Sequence, residues 1–281
     1  GYGANAKQGC TSCPQFEDAM NSFEIAQPHA SALIESLRSV GYSPQTAVAD
    51  IIDNSIAAGA RHVWITFDWA GPDSRIIIRD DGDGMNEDEL FQAMRPGSRN
   101  PKSSRRAEDL GRFGLGLKTA SFSQCRRLTV ASQRERNSIA IRRWDLDHVA
   151  RTEEWQLLLG AATGSEAYLQ AHLLEPSGTV VLWELLDRIA GDFDHDSKGD
   201  HDRFLGVAAT IEQHLAMVFH RYLEGSKPSL KIYINGSSDR HRVRPWDPFL
   251  TSHPATISSP IETIPWGDAK ITLQGHVLPH K

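Results

Sequence analysis

Three short stretches of polar and glycine residues, in a fixed order between positions 49 and 121, carry side chains that could do chemistry. The first pairs a carboxylate, Asp50, with an amide, Asn54, four residues later. The second places aspartates and glycines directly after a run of three isoleucines, in residues 79–85. The third is a glycine-rich stretch, residues 111–116, followed by a sequence of good helical character. Together they predict a site that binds a nucleotide through its base, a metal ion and its phosphates.

The first stretch lies on a predicted helix that begins at Ser43 and Pro44, because Ser is favoured at the N-cap and Pro in the first turn. At 100° per residue, Asp50, Asp53 and Asn54 fall together on the face opposite the apolar residues. A merely solvated face would show the same pattern. An Asn amide oxygen suits Mg²⁺, and a carboxylate one turn earlier could orient or deprotonate a water molecule aimed at a terminal phosphate. We therefore expect Asn54 to be the metal ligand and Asp50 to be catalytic.

The second stretch offers a carboxylate, Asp80, at the end of a predicted strand. Such a carboxylate can accept a hydrogen bond from an exocyclic amine such as N6 of adenine, while Gly82 and Gly84 let the backbone and the base approach closely. Calcium is the rival ligand, because acidic glycine-rich loops often bind it. In an EF-hand frame, however, Arg79 or Ile77 would take the first ligand position, which disfavours calcium.

The glycine-rich stretch could bind phosphate, because backbone N–H groups at a helix start attract anions and glycines remove obstructing side chains. It is not a Walker A loop, since Leu117 separates Gly116 from Lys118 and no strand immediately precedes it. Taken alone, such a loop is more often an ordinary turn than a phosphate site. The five basic residues of the preceding segment, residues 95–109, predict a mobile loop that could serve as a nucleotide lid.

The composition of the 281-residue chain, 40% apolar and 23% charged, is that of a soluble globular protein with a substantial core. No apolar run approaches the roughly 20 residues of a membrane span and no signal peptide opens the chain, so we expect a cytoplasmic protein without a membrane partner. The net charge of −6 disfavours a broad nucleic-acid surface but not a local basic patch. The chain begins at Gly1, which suggests a fragment, and Cys10 and Cys13 lack a second pair to complete a zinc site.

The elements that must position these residues alternate between strands and helices. Strands are predicted over residues 63–69, 75–79, 128–132, 139–144 and 179–185, several of them joined as hairpins. Such hairpins predict an α+β fold, with an antiparallel-rich sheet covered by helices on one face. After a boundary between residues 189 and 202, the sequence predicts a helix over residues 203–223 and strands over 230–234 and 271–278. Because no terminal helix follows, this second unit is expected to be cut short.

These motifs resemble the GHKL superfamily of ATPases, and within it most closely the MORC-type and related prokaryotic heat-shock-like ATPases. The resemblance is specific over residues 44–132 and looser as far as residue 185. It implies the Bergerat fold, a two-layer sandwich of a mixed, mainly antiparallel sheet with helices on one face, and it implies ATP and Mg²⁺ as cofactors. It also divides the chain into a flexible tail or arm (1–28), a GHKL ATP-binding domain (29–190) and a partial transducer-like domain (200–281).

By this resemblance Asn54 would hold Mg²⁺, Asp80 would bind adenine, and Thr179 of a late Gly-Thr motif would lie near the base or its ordered water. Lys118 is expected to be catalytic by reaching a phosphate. Asp50 takes the general-base position, where the superfamily usually has Glu, so hydrolysis is expected to be slow or to need closure. The expected cofactor-binding residues are Asn54, Asp80, Gly82, Gly84, Met85, Gly111, Arg112, Phe113, Gly114, Leu115, Gly116 and Thr179.

The predicted function is Mg²⁺-dependent binding and hydrolysis of ATP, driving homodimerisation and conformational closure in DNA- or chaperone-related work. One alternative is a nucleotide sensor that binds ATP without hydrolysing it, which the Asp50 substitution favours. Another is a protein-histidine kinase, since His148, Arg151 and Thr152 faintly echo a phospho-acceptor box. That segment lacks the acidic neighbour and the proline, and it follows the ATP motifs. DNA is a partner that the resemblance allows and the sequence does not demonstrate. No transducer lysine that would complete the ATP site can be assigned.

Overall fold

A computed structural model describes residues 28–39, 41–97, 116–136, 138–172, 176–267 and 269–279. Several expected features lie outside the described residues: most of the expected lid, residues 1–27 of the expected N-terminal arm, and the expected phosphate-loop residues Gly111, Arg112, Phe113, Gly114 and Leu115. Helices are α1 (Ala30–Arg38), α2 (Pro44–Ala57), α3 (Glu87–Met94), α4 (Gly116–Phe122), α5 (Leu146–Thr152), α6 (Glu166–His172), α7 (Lys198–Val218) and α8 (His220–Leu223). Strands are β1 (His62–Asp68), β2 (Arg75–Asp80), β3 (Arg127–Gln133), β4 (Ile139–Asp145), β5 (Leu158–Leu159), β6 (Gly178–Glu184), β7 (Lys231–Ile234), β8 (Ile257–Ser258), β9 (Glu262–Trp266), β10 (Ala269–Leu273) and β11 (His276–Val277).

The centre of the fold is a seven-stranded sheet of order β5-β4-β3-β6-β2-β1-β7. Every neighbouring pair in it is antiparallel except β1 and β7, which run parallel. The sheet is therefore mixed and mainly antiparallel, and the predicted α+β class is confirmed. Its order also places β6 between β3 and β2, so strands distant in sequence lie side by side.

Alternation along the strands separates two apolar layers. On β2, Ile76 and Ile78 belong to the main core, which the helices α1, α2, α4 and α7 help to build. Ile77, between them, faces the opposite side and packs in a smaller cluster with Leu169 of α6. The helical layer thus lies mainly on one face, as predicted, while the short helix α6 adds a cover on the other.

Helix α2 forms where the sequence predicts it. The hydroxyl of Ser43 accepts a hydrogen bond from the Thr46 N–H at 3.4 Å, and Pro44 occupies the first turn. Val48 and Ile52 are fully buried on its core face. Because α2 contacts both α4 and α7, it lies in the middle of the helical layer, with a polar face left for other partners.

The C-terminal part differs from expectation in detail. The helix predicted over residues 203–223 begins earlier, at Lys198, and it breaks at Phe219 into α7 and α8. The strand predicted over 271–278 is instead β10 and β11, which pair with β9 and β8. Strand β7, from the predicted second unit, joins the central sheet beside β1. The transducer-like assignment of residues 200–281 stays a prediction. In the part of the chain that the structure describes, no helix is long and apolar enough to cross a membrane.

Candidate functional site

Three polar side chains form a row across the central strands. Asp80 of β2 is the register partner of Thr179 on β6, and Thr179 is in turn the partner of Ser132 on β3. Residues directly opposite each other in a sheet project from the same face. This row therefore lies on the helical side of the sheet, at the edge where β2 ends.

Asp80, the carboxylate of the row, has only 8% of its surface exposed. The Ser55 hydroxyl donates to its Oδ2 at 2.8 Å, and the Gly82 N–H donates to its Oδ1 at 3.0 Å. Burial raises the pKa of Asp80, and the hydrogen bonds from Gly82 and Ser55 offset only part of that rise. The structure thus holds a hydrogen-bond acceptor in a sheltered position, where it could recognise a polar group of a ligand.

The aspartate–glycine turn is held against α2 and β3. A Cβ on Gly82 would lie 2.9 Å from the carbonyl oxygen of Ala58, at the end of α2. Gly84 has a φ of +66°, and a Cβ there would collide with the backbone carbonyl of Gln133. The Met85 N–H donates to the Ser132 hydroxyl at 2.8 Å. The predicted residues Gly82, Gly84 and Met85 therefore come together with Asp80 and Thr179.

The polar face of α2 carries Asp50 and Asn54, as predicted. Asn54 is exposed, and its Nδ2 donates to the Asp50 backbone carbonyl at 3.0 Å, so its amide oxygen is the atom suited to an external ligand. Gly116, the first residue of α4, lies against Asp50, since a Cβ there would be 3.8 Å from Asp50 Oδ2. The described end of the glycine-rich stretch therefore meets the candidate catalytic carboxylate.

Two further titratable groups, Asp53 and Tyr42, lie close to Asp50. Burial, and then the charge of Asp50, raise the pKa of Asp53 to about 6. Burial, and then hydrogen bonding and charge from Asp50, raise the pKa of Tyr42 to about 12. Asp53 was placed on this face by helical periodicity, but Tyr42 was missed, because it precedes the helix and shares no spacing with the motif.

Lys118 of α4 is only 2% exposed, and its ammonium group donates to the Ala93 carbonyl at 2.7 Å. This carbonyl belongs to the last turn of α3, where unsatisfied carbonyls favour a positive charge. The ammonium is thus placed at the C-terminal end of α3, and its expected role at a phosphate stays a prediction.

The other sequence candidate, His148, lies on α5. Its Nε2 is 2.6 Å from Gln156 Oε1, and its Nδ1 is 3.3 Å from the Arg151 guanidinium. Both ring nitrogens of His148 therefore have partners nearby in the sequence. None of these contacts favours a phospho-acceptor role.

Two serines of the pocket were missed by the sequence analysis. Ser55 directly follows Asn54 in the first motif, so its contact with Asp80 could have been considered from that adjacency. Ser132 lies 47 positions from Met85, in a strand whose apolar pattern gives no sign of a hydroxyl contact. Only the strand register brings it to the site.

A metal ion would depend on few protein ligands. Among the residues that the structure describes, no cluster of three or more His, Cys, Asp or Glu side chains could hold one. Mg²⁺ commonly keeps several waters and binds phosphate oxygens with one or two protein oxygens, so a single Asn54 oxygen fits it.

A separate groove of about 520 Å³ lies between the first turn of α2 and α7, with Pro44, Phe193 and Val207 in its lining. It does not include the polar residues above.

A mixed sheet under helices, with a buried aspartate at a strand end beside a polar helix face, is the architecture of a Bergerat-type ATP-binding domain. Comparison with known proteins agrees. Residues 42–179 match the family described as histidine kinase-, DNA gyrase B-, and HSP90-like ATPase. Through that segment the chain is similar to the GHKL family of ATPases, and this similarity implies ATP binding.

The similar proteins are much longer than the shared segment. ATPase morc-1 of Caenorhabditis elegans is 32% identical over 92 residues, which is 33% of this chain and 10% of that protein. The DNA mismatch repair protein MutL of Halobacterium salinarum is 34% identical over 77 residues, which is 27% of this chain and 10% of MutL. The match thus covers about a tenth of each relative. A MORC ATPase and MutL are among the relatives, in agreement with the predicted resemblance.

Proposed function

We propose that this domain binds ATP with Mg²⁺ and hydrolyses it slowly, and that ATP favours a closed homodimer. The observation that carries the proposal is the double attachment of α2. Ser55 is hydrogen-bonded to Asp80, the candidate base ligand, while Asp50 lies against Gly116, at the end of the candidate phosphate loop. These attachments are five residues apart on one helix, about 7.5 Å along its axis. One rigid element would therefore align the base end and the phosphate end of a nucleotide.

In this arrangement each side chain has a separate task. The Asp80 carboxylate would accept hydrogen bonds from the exocyclic amine of adenine. The Asn54 amide oxygen would hold Mg²⁺, which neutralises phosphate charge when bound. The Asp50 carboxylate would orient the attacking water and accept its proton. Because Asp is one methylene shorter than Glu, Asp50 reaches less far from the helix, which is the reason to expect slow turnover.

ATP would act on conformation through contacts with its terminal phosphate. A ligand shifts a conformational equilibrium only by its differential affinity for the two states. Contacts from the residues around the glycine-rich stretch would favour closure, and loss of the terminal phosphate would remove them. The name of the halobacterial relative, a DNA mismatch repair protein, makes DNA the first partner to add to such measurements.

The test combines ATP affinity, phosphate release and oligomeric state, each measured with and without Mg²⁺. Asn54→Ala should weaken Mg²⁺-dependent ATP binding by tenfold or more. Asp50→Asn should leave the affinity within about threefold but lower phosphate release by about 100-fold or more, the usual contribution of a general base. Asp88→Asn, an exposed change in the first turn of α3, is the matched surface control and should change neither. Normal Mg²⁺-dependent turnover in Asn54→Ala would show that the metal ligand is wrongly assigned.

The second candidate is a nucleotide sensor that binds ATP without hydrolysis. The observation in its favour is that the carboxylate at the general-base position, Asp50, is short and lies close enough to a second carboxylate, Asp53, for its charge to raise the pKa of Asp53. Asp50→Glu distinguishes the two proposals, because the longer side chain should increase turnover if reach is limiting. Tight ATP binding with no phosphate release from either form would favour the sensor.

A further inference from the structure

The hydroxyl of Ser132 is a junction of hydrogen bonds behind the base pocket. Ser132 is fully buried, with 0% of its surface exposed. Its Oγ lies 2.8 Å from the Met85 nitrogen, 2.8 Å from Thr179 Oγ1 and 3.2 Å from the Gly178 carbonyl oxygen. Since Thr179 is only half-buried, a ligand can reach Thr179 but not Ser132. Any effect of Ser132 on a ligand must therefore pass through the residues it holds, Thr179 and the backbone of Met85.

Counting protons fixes the direction of these bonds. A hydroxyl has one hydrogen to donate and two lone pairs that accept. The Met85 N–H can only donate and the Gly178 carbonyl can only accept. All three contacts are hydrogen bonds only if Ser132 donates to Gly178 and accepts from both Met85 and Thr179. In that arrangement the Thr179 proton points towards Ser132, and its lone pairs remain for the pocket.

Asp80, beside Thr179, is also a hydrogen-bond acceptor. Its carboxylate already accepts from Ser55, Gly82 and the backbone N–H of Thr179, which leaves one of about four acceptor positions for a ligand. Asp80 and Thr179 are register partners on neighbouring strands, so both could contact the same group of a ligand. A group with two N–H donors matches this pair, whereas a carbonyl oxygen there would face two acceptors.

We infer that Ser132 is a specificity-determining positioning residue that keeps Thr179 an acceptor, so that the pocket selects purines with a 6-amino group over those with a 6-oxo group. This inference rests on the proposed nucleotide function and deepens it. Without the Ser132 hydroxyl, the Thr179 proton is released and can turn towards the ligand. Thr179 can then donate to a carbonyl, and discrimination is lost.

The experiment measures the dissociation constants of ATP and inosine 5′-triphosphate, with Mg²⁺, by titration calorimetry on the whole chain. Inosine carries a 6-oxo group where adenine carries its amine. Ser132→Ala should reduce the preference for ATP by about tenfold, the upper range for one hydrogen bond. Thr179→Val should also reduce it. Adding Ser132→Ala to Thr179→Val should change the preference no further, because the preference passes through the Thr179 hydroxyl, whereas the loss of the Ser132–Met85 contact should affect both nucleotides alike.

Two variants separate this role from simple support of the fold. Ser165→Ala removes another buried serine, 3% exposed and bonded to Glu184 at the opposite end of β6, and should keep the preference. Ser132→Thr, which retains the hydroxyl, should keep it as well. If Ser132→Ala does not fold, Ser132→Cys should show the same loss, because a thiol is a weak donor and acceptor.

The outcomes distinguish this inference from the function on which it rests. If the parent prefers ATP and Ser132→Ala keeps that preference within twofold, the role of Ser132 is refuted and the proposed function stands. Equal weakening of both nucleotides would also refute it, since that is the effect of a structural residue. If the parent binds neither nucleotide, the proposed function fails, and the role of Ser132 fails with it.

Discussion

Replacing Asp80 by Asn should separate ligand binding from stability. The change keeps the size and shape of the side chain but removes its charge. The amide oxygen can still accept from the Gly82 N–H, and the Ser55 hydroxyl can rotate to accept from the new NH₂ group. The hydrogen bonds with Ser55 and Gly82 therefore have counterparts in the variant. The fold should tolerate the substitution.

The expected changes in the free energy of unfolding and in ATP affinity follow from the burial of Asp80 and from the kind of hydrogen bond that it forms. Burial disfavours the charged form and raises the pKa of Asp80, so removing the charge should leave the free energy of unfolding unchanged or raise it by about 1 kcal/mol. A hydrogen bond to a charged group contributes about 1.5–3 kcal/mol. Losing it, and placing an amide N–H opposite the adenine amine, should weaken ATP binding by roughly 10- to 150-fold.

Asp81→Asn is the matched control, because the same change one residue later should have the opposite pattern. Burial pushes the pKa of Asp81 upward, but hydrogen bonds from the His62 ring and from the backbone N–H groups of Arg61 and His62 outweigh it and hold the pKa below its usual range. Those bonds stabilise the folded state at neutral pH. Asp81→Asn should therefore lower the free energy of unfolding by about 1–2 kcal/mol while the folded protein keeps its affinity for ATP.

Urea unfolding and titration calorimetry on both variants check these expectations. A folded Asp80→Asn variant that binds ATP within twofold of the parent would refute Asp80 as the base ligand. A large loss of stability in Asp80→Asn, with binding lost only in proportion, would mean that Asp80 is a structural residue.

Two further predictions concern stability. Gly84→Ala should lower the free energy of unfolding by more than about 2 kcal/mol, since it adds a collision with the Gln133 carbonyl to the strain of a positive φ. The control is Gly59→Ala, where φ is +74° and nothing lies within 4 Å of the added Cβ, so the loss should be about 1 kcal/mol. Equal losses of the two variants in urea unfolding would contradict this. Asp53, whose pKa rises from 3.8 to about 6, binds more protons when folded, so stability should fall as pH rises from about 4 to 6. The full shift corresponds to about 3 kcal/mol, which solvent screening reduces to roughly 1 kcal/mol. Asp53→Asn should thus be more stable than the parent at pH 8 and equal to it below pH 4, and a constant difference at all pH values would exclude this origin.

The helix of the site could be predicted because its rules are local. A serine N-cap, a proline in the first turn and a 3.6-residue period fix α2 and the face that carries Asp50 and Asn54. The same local reasoning gave the strand that ends at Asp80. Each of these features depends on residues within one or two turns, or one strand, of the motif.

The pocket behind Asp80 could not be derived from local patterns, because it depends on strand order and register. Thr179 was expected near the base only through the family resemblance. Nothing local in the sequence indicates that β6 lies between β2 and β3, yet that order alone brings Thr179 and Ser132 beside Asp80. The glycines show the same limit. Gly82 and Gly84 were expected because glycine permits close approach, but the groups that approach them, the carbonyls of Ala58 and Gln133, are contributed by distant segments.

Helix α4 connects the glycine-rich stretch to the geometry of the candidate general base. Its first residue, Gly116, lies against the Asp50 carboxylate. Beyond its last turn, Gln124 is 1% exposed and donates to the Tyr42 carbonyl at 2.9 Å, and the Tyr42 hydroxyl interacts with Asp50. Asp50 is thus bordered by groups that both ends of α4 position. A shift of α4 on nucleotide binding would move those neighbours together and would change the surroundings of the Asp50 carboxylate. Under the proposed ATPase function, this coupling would make turnover depend on closure.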